Sequence, residues 1–339
     1  MSHGRGRTGS VRHALLTCYT SSVTDEPHRM VANTDIVRLA ETVPQWAGLP
    51  IEVRPLHGGI TNRNFVVTVD EREYVIRIPG ERTELLGIDR AHEAEAARRA
   101  AGLGLAPAVI GELVTVGTLI TELVPGRHVV GAAFVDRLGD VVPLLLRFHG
   151  SGPLGGAFPI HRVVEWHARD AMVHGVAAPA IYNRLHRHSR EIETAFGASP
   201  TPPVPCHNDL LPGNVLFGAS EGASEGDNRV WLLDFEYAGN NDAFFDLGNL
   251  SVNCGLDPAG DERLLELYFG ANSKSRWARL QLMKMMSEFR EGMWAVVQQA
   301  ISTLDTDFVS YAGERLDSCE RLAAQPGWSN LLADAARSV

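Results

Sequence analysis

The first third of the chain alternates apolar and polar residues in short runs separated by turn signals, and this pattern predicts a small antiparallel sheet. One segment differs: Arg90–Gly102 is rich in Ala, Glu and Arg and ends on glycine, which predicts a helix. The predicted strands are Ile51–Pro55, Asn64–Val69, Tyr74–Ile78, Ala108–Ile110 and Leu119–Leu123. We therefore expect a β-rich N-terminal lobe.

Helical periodicity dominates after Pro125-Gly126, a pair that breaks the strand pattern and marks the boundary between two lobes. Two islands interrupt the helices: Val204–Phe217, with a short strand at Val215–Phe217, and the strand-like Val230–Phe235. The low-complexity stretch Gly218–Gly226 between them is expected to be an exposed hairpin tip. The predicted helices are Ala132–Gly150, Arg162–Val176, Ile181–Ala195, Glu262–Phe269, Ser275–Leu304 and Phe308–Ala324. The expected fold class is α+β, with a mainly helical C-terminal lobe and a cleft between the lobes.

Composition and charge narrow the class of protein. The 339 residues are 45% hydrophobic and carry a net charge of -10, which is typical of a folded protein and opposes binding to nucleic acid or anionic lipid. No apolar run approaches the roughly 18 residues needed to span a bilayer. The four cysteines are far apart without CxxC spacing, as reduced intracellular thiols would be. We therefore expect a cytoplasmic protein without nucleic-acid partner or membrane insertion.

Residues 1–29 are expected to be a disordered tail. Their apolar stretch, Ala14–Leu16, is too short for the core of a signal peptide. Because a plausible helix follows Met30 directly, we expect Met30 to be the natural start of the protein.

The most informative segment combines an acid and an amide with a second acid further along. Asp209 in His207-Asn208-Asp209 precedes Asn214 by five positions, and Asp234 follows 20 residues later, after an apolar run. Phosphoryl transfer needs a carboxylate that accepts or orients the proton of the attacking hydroxyl, and oxygen ligands that hold Mg²⁺ against phosphates. Asp209 suits the first role, and Asn214 and Asp234 suit the second. Their order and spacing favour catalysis over the alternative of turn-forming and capping residues.

A glycine-containing loop between two predicted strands is a weaker indication of a phosphate-binding site. It contains Gly58, Gly59, Thr61 and Asn62, and its glycines would allow the backbone to approach phosphates closely. Paired glycines are common in hairpin loops, so the loop alone does not indicate a function.

Arg77 is a lone basic residue in an apolar strand-like run. From there it could reach the α- and β-phosphates, while Glu93 on the following helix holds it through a charge pair. The alternative is a solvent-facing arginine on an edge strand and a glutamate on an exposed helix face.

Together these segments resemble the choline/ethanolamine kinase group of the aminoglycoside phosphotransferase superfamily, whose members share the protein-kinase-like two-lobe fold. The resemblance covers about residues 45–325. It is carried by Gly58-Gly59 with Thr61-Asn62, and by Tyr74–Gly80, Cys206–Asn214, Asp234–Ala238 and Phe245–Asn249.

This resemblance implies ATP as phosphate donor and Mg²⁺ as metal, with Asp209 as base and Asn214 and Asp234 as metal ligands. Glu122 and Val124 in the connector would supply backbone contacts to the adenine. Residues 30–124 would then form the nucleotide-binding lobe, and residues 125–339 the catalytic and acceptor-binding lobe.

A cationic acceptor is best held by aromatic faces with nearby carboxylates. On a helical wheel Trp294 falls off the apolar stripe of its helix, so it either packs against another element or forms a ligand wall. The resemblance favours the wall, because choline kinases place two tryptophans three residues apart here and a tyrosine on the next helix, which Tyr311 matches. Tyr237 and Glu236 are further candidates for this wall.

Two departures from the choline kinase pattern affect this pocket. Glu291 stands where the family has its first tryptophan, and Asn253 stands where it has an acidic residue. A carboxylate can hydrogen-bond a primary ammonium but offers no aromatic face, so ethanolamine or another small amino alcohol is nearly as plausible an acceptor as choline.

The main hypothesis is therefore a kinase for a small cationic alcohol. Two alternatives remain: a kinase for a larger cationic acceptor such as thiamine or an aminoglycoside, and a nucleotide-binding pseudokinase scaffold. The scaffold is disfavoured because all three polar residues of the motif are present. Several histidines lack the spacing of a metal site and are expected to be exposed on helices and loops: His161, His167, His174, His186 and His188.

Overall fold

The computed structural model describes residues 33–56, 62–113, 117–218 and 229–339. The predicted tail, Met30, and nearly all of the predicted hairpin tip lie outside these ranges. Gly58, Gly59 and Thr61 lie outside them as well.

Five antiparallel strands form the N-terminal sheet, in the order β1-β2-β3-β5-β4. Helix α1 (Asn33–Glu41) packs with one face of this sheet around a core that includes Ile36, Phe65, Val67 and Ile76. The strands are β1 (Ile51–Leu56), β2 (Asn62–Val69), β3 (Arg72–Pro79), β4 (Val109–Leu113) and β5 (Thr118–Glu122). Strand β3 lies between β2 and β5, so the edge-strand alternative for Arg77 is wrong.

Helix α2 (Arg90–Gly102) follows the sequence prediction residue for residue. The Asp89 side chain accepts hydrogen bonds from the backbone N–H groups of Ala91 and His92, which caps the first turn. The alanines of α2 share a core with the C-terminal helices. This helix therefore joins the two parts of the chain, and the division into lobes at residues 124 and 125 stays a prediction.

The C-terminal part consists of nine described helices and two short strand pairs, β6 (Val204–Cys206) with β9 (Gly239–Asn241) and β7 (Val215–Phe217) with β8 (Val230–Leu232). The helices are α3 (Ala132–Asp136), α4 (Leu138–His149), α5 (Ile160–Val173), α6 (Tyr182–Ala198), α7 (Ala243–Cys254), α8 (Pro258–Phe269), α9 (Lys274–Ile301), α10 (Phe308–Ala323) and α11 (Trp328–Ala335).

Helix α9, with 28 residues, is the central element of the helical part and buries a stripe that includes Leu282, Met286, Phe289, Met293 and Val297. Helices α5, α7 and α10 pack around it. Within the described ranges, no helix is both long and apolar enough to cross a membrane.

Several predicted bounds shift by up to four residues in the structure, and two elements show a difference with a visible local cause. The strand predicted at Val230–Phe235 ends at Leu232, because Asp234 adopts a left-handed backbone with φ of 64° that a strand cannot include. The helix predicted at Ala132–Gly150 is two helices that meet at Arg137.

The connector after β5 runs close to the hairpin of the helical part. Arg127 and Phe217 exchange backbone hydrogen bonds of 2.8 and 3.0 Å. A Cβ atom at Gly126 would lie 2.6 Å from Cγ of Leu216 and 2.9 Å from the carbonyl oxygen of Phe217. This close approach requires glycine at position 126.

Candidate active site

Asp246, near the start of α7, holds the loop that follows β6. Its carboxylate accepts hydrogen bonds from the backbone N–H groups of His207 and Asn208, both at 2.7 Å. His207 donates from Nε2 to the carbonyl of Leu233 at 2.8 Å, which ties this loop to the segment after β8. Asn208 adopts a left-handed backbone with φ of 63°. The loop therefore has one fixed path, which presents the next residue, Asp209.

A 3-10 turn at Pro212–Asn214 returns the chain toward Asp209. The amide nitrogen of Asn214 donates to the backbone oxygen of Asp209 at 2.8 Å and to its Oδ2 at 3.2 Å. Burial raises the pKa of Asp209 to about 7, although the nearby guanidinium of Arg290 opposes that rise. The structure therefore combines a carboxylate of raised basicity with an adjacent amide.

Asp234 follows β8 in a left-handed backbone conformation, and part of its carboxylate is exposed. Arg77 on β3 donates from Nη2 to Oδ1 of Asp234 at 2.6 Å, and the same Nη2 lies 2.9 Å from Oε1 of Glu93. The predicted pair of Arg77 and Glu93 is thus present. Burial alone would lower the pKa of Arg77, but Asp234, Glu93 and Glu236 raise it above its ordinary value.

Arg90 forms a second cationic centre beside Arg77. Its Nη1 donates to Oε2 of Glu93 at 2.6 Å, and its Nη2 donates to the Thr83 hydroxyl at 3.0 Å. The Asn62 amide donates to Oε2 of Glu236 at 2.8 Å. Glu236, expected on the acceptor wall, therefore lies with Asn62 and the arginines of the N-terminal lobe.

A cavity of about 350 Å³ lies between the sheet and the helical part. Its polar end contains Arg77, Asn214 and Asp234, and the other walls are largely apolar. The remaining lining residues include Val75, Leu119, Glu122, Val124, Leu216, Leu232 and Leu233. The cavity thus combines an apolar region, suited to a flat ring system, with a charged end.

Both connector residues predicted to contact adenine, Glu122 and Val124, line this cavity. The Glu122 N–H donates to the carbonyl of Ala108 at 2.9 Å, and the Leu123 N–H donates to that of Glu73 at 3.1 Å. Both N–H groups are therefore hydrogen-bonded within the protein. The predicted backbone contacts to adenine would instead use carbonyl groups of the connector and the N–H of Val124.

Four residues predicted for the acceptor wall form two hydrogen-bonded pairs, Trp294 with Tyr237 and Tyr311 with Glu291. Trp294 donates from its indole nitrogen to the hydroxyl of Tyr237 at 2.9 Å, and its ring packs edge-on against Phe308. Tyr311 donates to Oε1 of Glu291 at 2.7 Å. Trp294 is 5% exposed, so most of its ring packs against the protein.

Sequence reasoning missed Arg290, which lies between these residues and Asp209. Its Nη1 lies 3.4 Å from Oδ1 of Asp209 and 2.9 Å from Oε2 of Glu291. Its guanidinium carbon lies 4.2 Å from the ring centroid of Tyr237. Burial would raise the pKa of Glu291, but Arg290, Arg315 and the Tyr311 hydroxyl hold it below its ordinary value. In the sequence, Arg290 was marked only as a charged residue among the apolar positions of α9, next to Phe289.

The prediction of exposed histidines is wrong: His167 is buried, and His161, His174, His186 and His188 are half-buried. His167 on α5 is 2% exposed and contacts the carbonyl of Leu86 through Nε2 at 3.4 Å. Burial, assisted by the charge of Arg290, lowers its pKa to about 4, so the ring is neutral at physiological pH.

The family model of the phosphotransferase enzyme family matches residues 52–283, which is more than half of the chain. Ethanolamine kinase 2 from Mus musculus is 25% identical, with 85% of this chain and 80% of that protein covered. Protein LicA from Haemophilus influenzae is 24% identical, with 78% of each chain covered.

Solved structures of related proteins confirm the predicted kinase-like fold. A choline/ethanolamine kinase family protein from Mesorhizobium loti matches with a TM-score of 0.75 and 28% identity, covering 90% of this chain and 99% of that one. Choline kinase LicA from Streptococcus pneumoniae matches with a TM-score of 0.72 and 20% identity, covering 87% of this chain and 100% of that one. With its matching family model, this chain belongs to the phosphotransferase enzyme family.

Proposed function

We propose that this enzyme transfers the γ-phosphate of ATP to the hydroxyl of a small amino alcohol of the class to which ethanolamine and choline belong. The observation that carries the proposal is the hydrogen bond between Asn214 and Asp209 at the charged end of the cavity, where Asp234 also lies. A base and two oxygen ligands thus converge beside a cavity suited to a nucleotide. The ethanolamine and choline kinases among its relatives support the acceptor class.

Asn214 and Asp234 fit a magnesium site by the chemistry of their donor atoms. The amide nitrogen of Asn214 is engaged by Asp209, so its oxygen is the atom that would bind a metal. Carboxylate and amide oxygens suit Mg²⁺, which would neutralise charge on the phosphates when bound. Arg77 lines the same cavity and would contact the phosphates with its guanidinium.

Asp209 would act as the base. The acceptor oxygen attacks the γ-phosphorus, the bond from that phosphorus to the bridging oxygen of ADP breaks, and the hydroxyl proton passes to the Asp209 carboxylate. Burial raises the pKa of this carboxyl to about 7, which brings its basicity close to neutral pH. The hydrogen bond from Asn214 fixes the orientation of Oδ2 for this transfer.

The test is acceptor-dependent formation of ADP with Mg²⁺, measured for ethanolamine, choline, thiamine and several aminoglycosides against an acceptor-free background. The proposal expects turnover with the amino alcohols and its loss when Mg²⁺ is removed. A preference for thiamine or an aminoglycoside would show that the acceptor is a larger cation and not a small amino alcohol. Nucleotide binding without turnover for any acceptor would indicate a pseudokinase.

A further inference from the structure

Among the described residues, the cationic group in contact with Asp209 is the guanidinium of the protein's own Arg290. The side chain is 2% exposed, and its Nη1 contacts the carboxylates of both Asp209 and Glu291. Its plane lies against Tyr237, with 4.2 Å from the guanidinium carbon to the ring centroid. Nε and Nη2 have no hydrogen-bond partner among the described residues. Two carboxylates and an aromatic face, the groups that bind a cationic ligand, therefore hold a cation that belongs to the chain.

The other aromatic residues predicted for the acceptor wall are engaged too. Trp294 is bonded to the Tyr237 hydroxyl and packs on Phe308. The Tyr311 hydroxyl donates to Glu291 and accepts from Arg315 at 2.9 Å. A quaternary ammonium has no N–H group, so aromatic faces and carboxylates are its main favourable contacts. Aromatic rings contribute little to binding a quaternary ammonium in this site, because Arg290 covers the face of Tyr237 and the Trp294 ring is buried.

Glu291 is more exposed than Tyr237, Trp294 and Tyr311, with 22% of its side chain accessible. Tyr311 and Arg290 each donate to one of its carboxylate oxygens, and each oxygen has a further lone pair that can accept a hydrogen bond. A primary ammonium can donate N–H groups to this carboxylate at hydrogen-bonding distance, which offsets its repulsion from Arg290. The methyl groups of a quaternary ammonium keep the nitrogen farther from the carboxylate and supply no donor. The difference in binding to Glu291 between a methylated ammonium and a primary ammonium grows with each N–H group that a methyl group replaces.

We infer that Arg290 is a specificity-determining residue: by covering the Tyr237 face beside Asp209 it selects acceptors with a primary ammonium, bound by Glu291, over acceptors with a quaternary ammonium. This inference rests on the proposed function. It assigns the preference to one side chain, and it makes the number of N–H donors on the acceptor the deciding variable.

The first experiment measures kcat/KM of the unaltered enzyme for ethanolamine, N-methylethanolamine, N,N-dimethylethanolamine and choline, with saturating ATP and Mg²⁺. All four acceptors are cations near neutral pH and share the same hydroxyethyl group, so N-methylation is the variable. We expect kcat/KM to fall along the series, with choline at least about tenfold below ethanolamine. Choline used as well as ethanolamine would overturn the inference and leave the proposed function intact. Turnover with none of the four would reject both.

The second experiment compares Arg290→Met with two controls. Arg290→Lys keeps the charge, and Arg315→Met removes a half-buried cation of α10 that lies over Tyr311 instead of Tyr237. Because Arg290 also contacts Asp209, the readout is the ratio of kcat/KM for choline to that for ethanolamine, which cancels a general loss of rate. We expect Arg290→Met to raise this ratio at least about tenfold and both controls to leave it low.

An unchanged ratio in Arg290→Met, with a normal thermal unfolding transition and retained ATP binding, would overturn the role of Arg290. An equal rise in Arg315→Met would show that net charge, and not the covered ring, sets the preference. If Arg290→Met fails to fold, the methylation series in the unaltered enzyme still decides whether the primary ammonium is preferred.

Discussion

Asn214 donates its side-chain amide to Asp209 twice, to the backbone oxygen at 2.8 Å and to carboxylate Oδ2 at 3.2 Å. Two residues five positions apart thus form one polar unit, which Asp246 fixes by accepting the backbone N–H groups of His207 and Asn208. This unit joins the proposed base to one proposed metal ligand, whereas the other ligand, Asp234, lies outside it, so substitutions of Asp209 and Asp234 should have distinct effects.

Replacement of Asp209 should affect the chemical step more than nucleotide binding. We expect Asp209→Asn to lower kcat by about 10²- to 10⁴-fold, because an amide cannot accept the hydroxyl proton. The Kd for ATP should change little, since the nucleotide cavity is lined by Asn214 and Asp234 and not by Asp209. Steady-state kinetics and calorimetric titration with ATP would measure the two effects. Wild-type turnover in this variant would exclude Asp209 as the base.

Asp234→Asn should weaken binding of Mg²⁺ with ATP as well as turnover. The substitution removes a charged oxygen ligand and also the partner of Arg77 at 2.6 Å. We expect the apparent Kd for ATP in the presence of Mg²⁺ to rise, while the Kd for ATP in EDTA changes less. Equal shifts in both conditions would assign Asp234 to the positioning of Arg77 instead of to the metal.

Most helices and strands with a clear periodicity of apolar and polar residues were predictable from the sequence. Helix α2 agrees with its predicted bounds, and β7 does too. Helix α7 was missed because ten of its twelve residues are buried, which leaves no alternation of apolar and polar faces to detect. Strands β6 and β9 have three residues each and exist through pairing between distant segments, which a local pattern cannot show.

The candidate site shows the same limit. The Asp209, Asn214 and Asp234 motif and the pair of Arg77 with Glu93 were found from spacing, because each occupies a recognisable local context. The roles of Arg290 and Arg90 depend on partners far away in sequence, Asp209 for the first and Glu236 for the second. A sequence pattern can place Arg290 beside the apolar stripe of α9, but only the fold identifies the ring and the carboxylates that it contacts.

Gly126→Ala should lower both stability and nucleotide affinity. The added methyl group would meet Leu216, whose side chain can shift, and the backbone oxygen of Phe217, which cannot shift without disturbing the hydrogen bonds to Arg127. We expect a loss of about 1–3 kcal/mol in the free energy of unfolding. The Kd for ATP should also rise, because Gly126 lines the cavity.

The matched control is Gly139→Ala. Gly139 lies in α4, and an added Cβ there would meet no atom within 4 Å. Alanine is the better helix former, so this variant should be as stable as the unaltered protein or more stable. Urea unfolding of both variants checks the difference, and equal stabilities would show that the approach at Gly126 is looser than the structure indicates.

His167 should make the protein less stable in mild acid. Burial lowers the pKa of its imidazole to about 4 in the folded protein, whereas in the unfolded chain it is near the ordinary value of roughly 6.5. Between these values the unfolded chain binds the additional proton, so the free energy of unfolding falls as the pH decreases through this window. From pH 7 to pH 5 this group alone should contribute a loss of about 2 kcal/mol.

His167→Gln isolates this contribution, because glutamine fills a similar space and can still donate to the carbonyl of Leu86, but does not titrate. His161 on the same helix also has a pKa lowered to about 4, mainly by burial, so part of the acid sensitivity should persist in the variant. Urea unfolding at pH 7 and pH 5 should show that the loss on acidification is smaller by about 2 kcal/mol in His167→Gln. The same loss in both proteins would mean that His167 is protonated as easily in the folded state as in the unfolded chain.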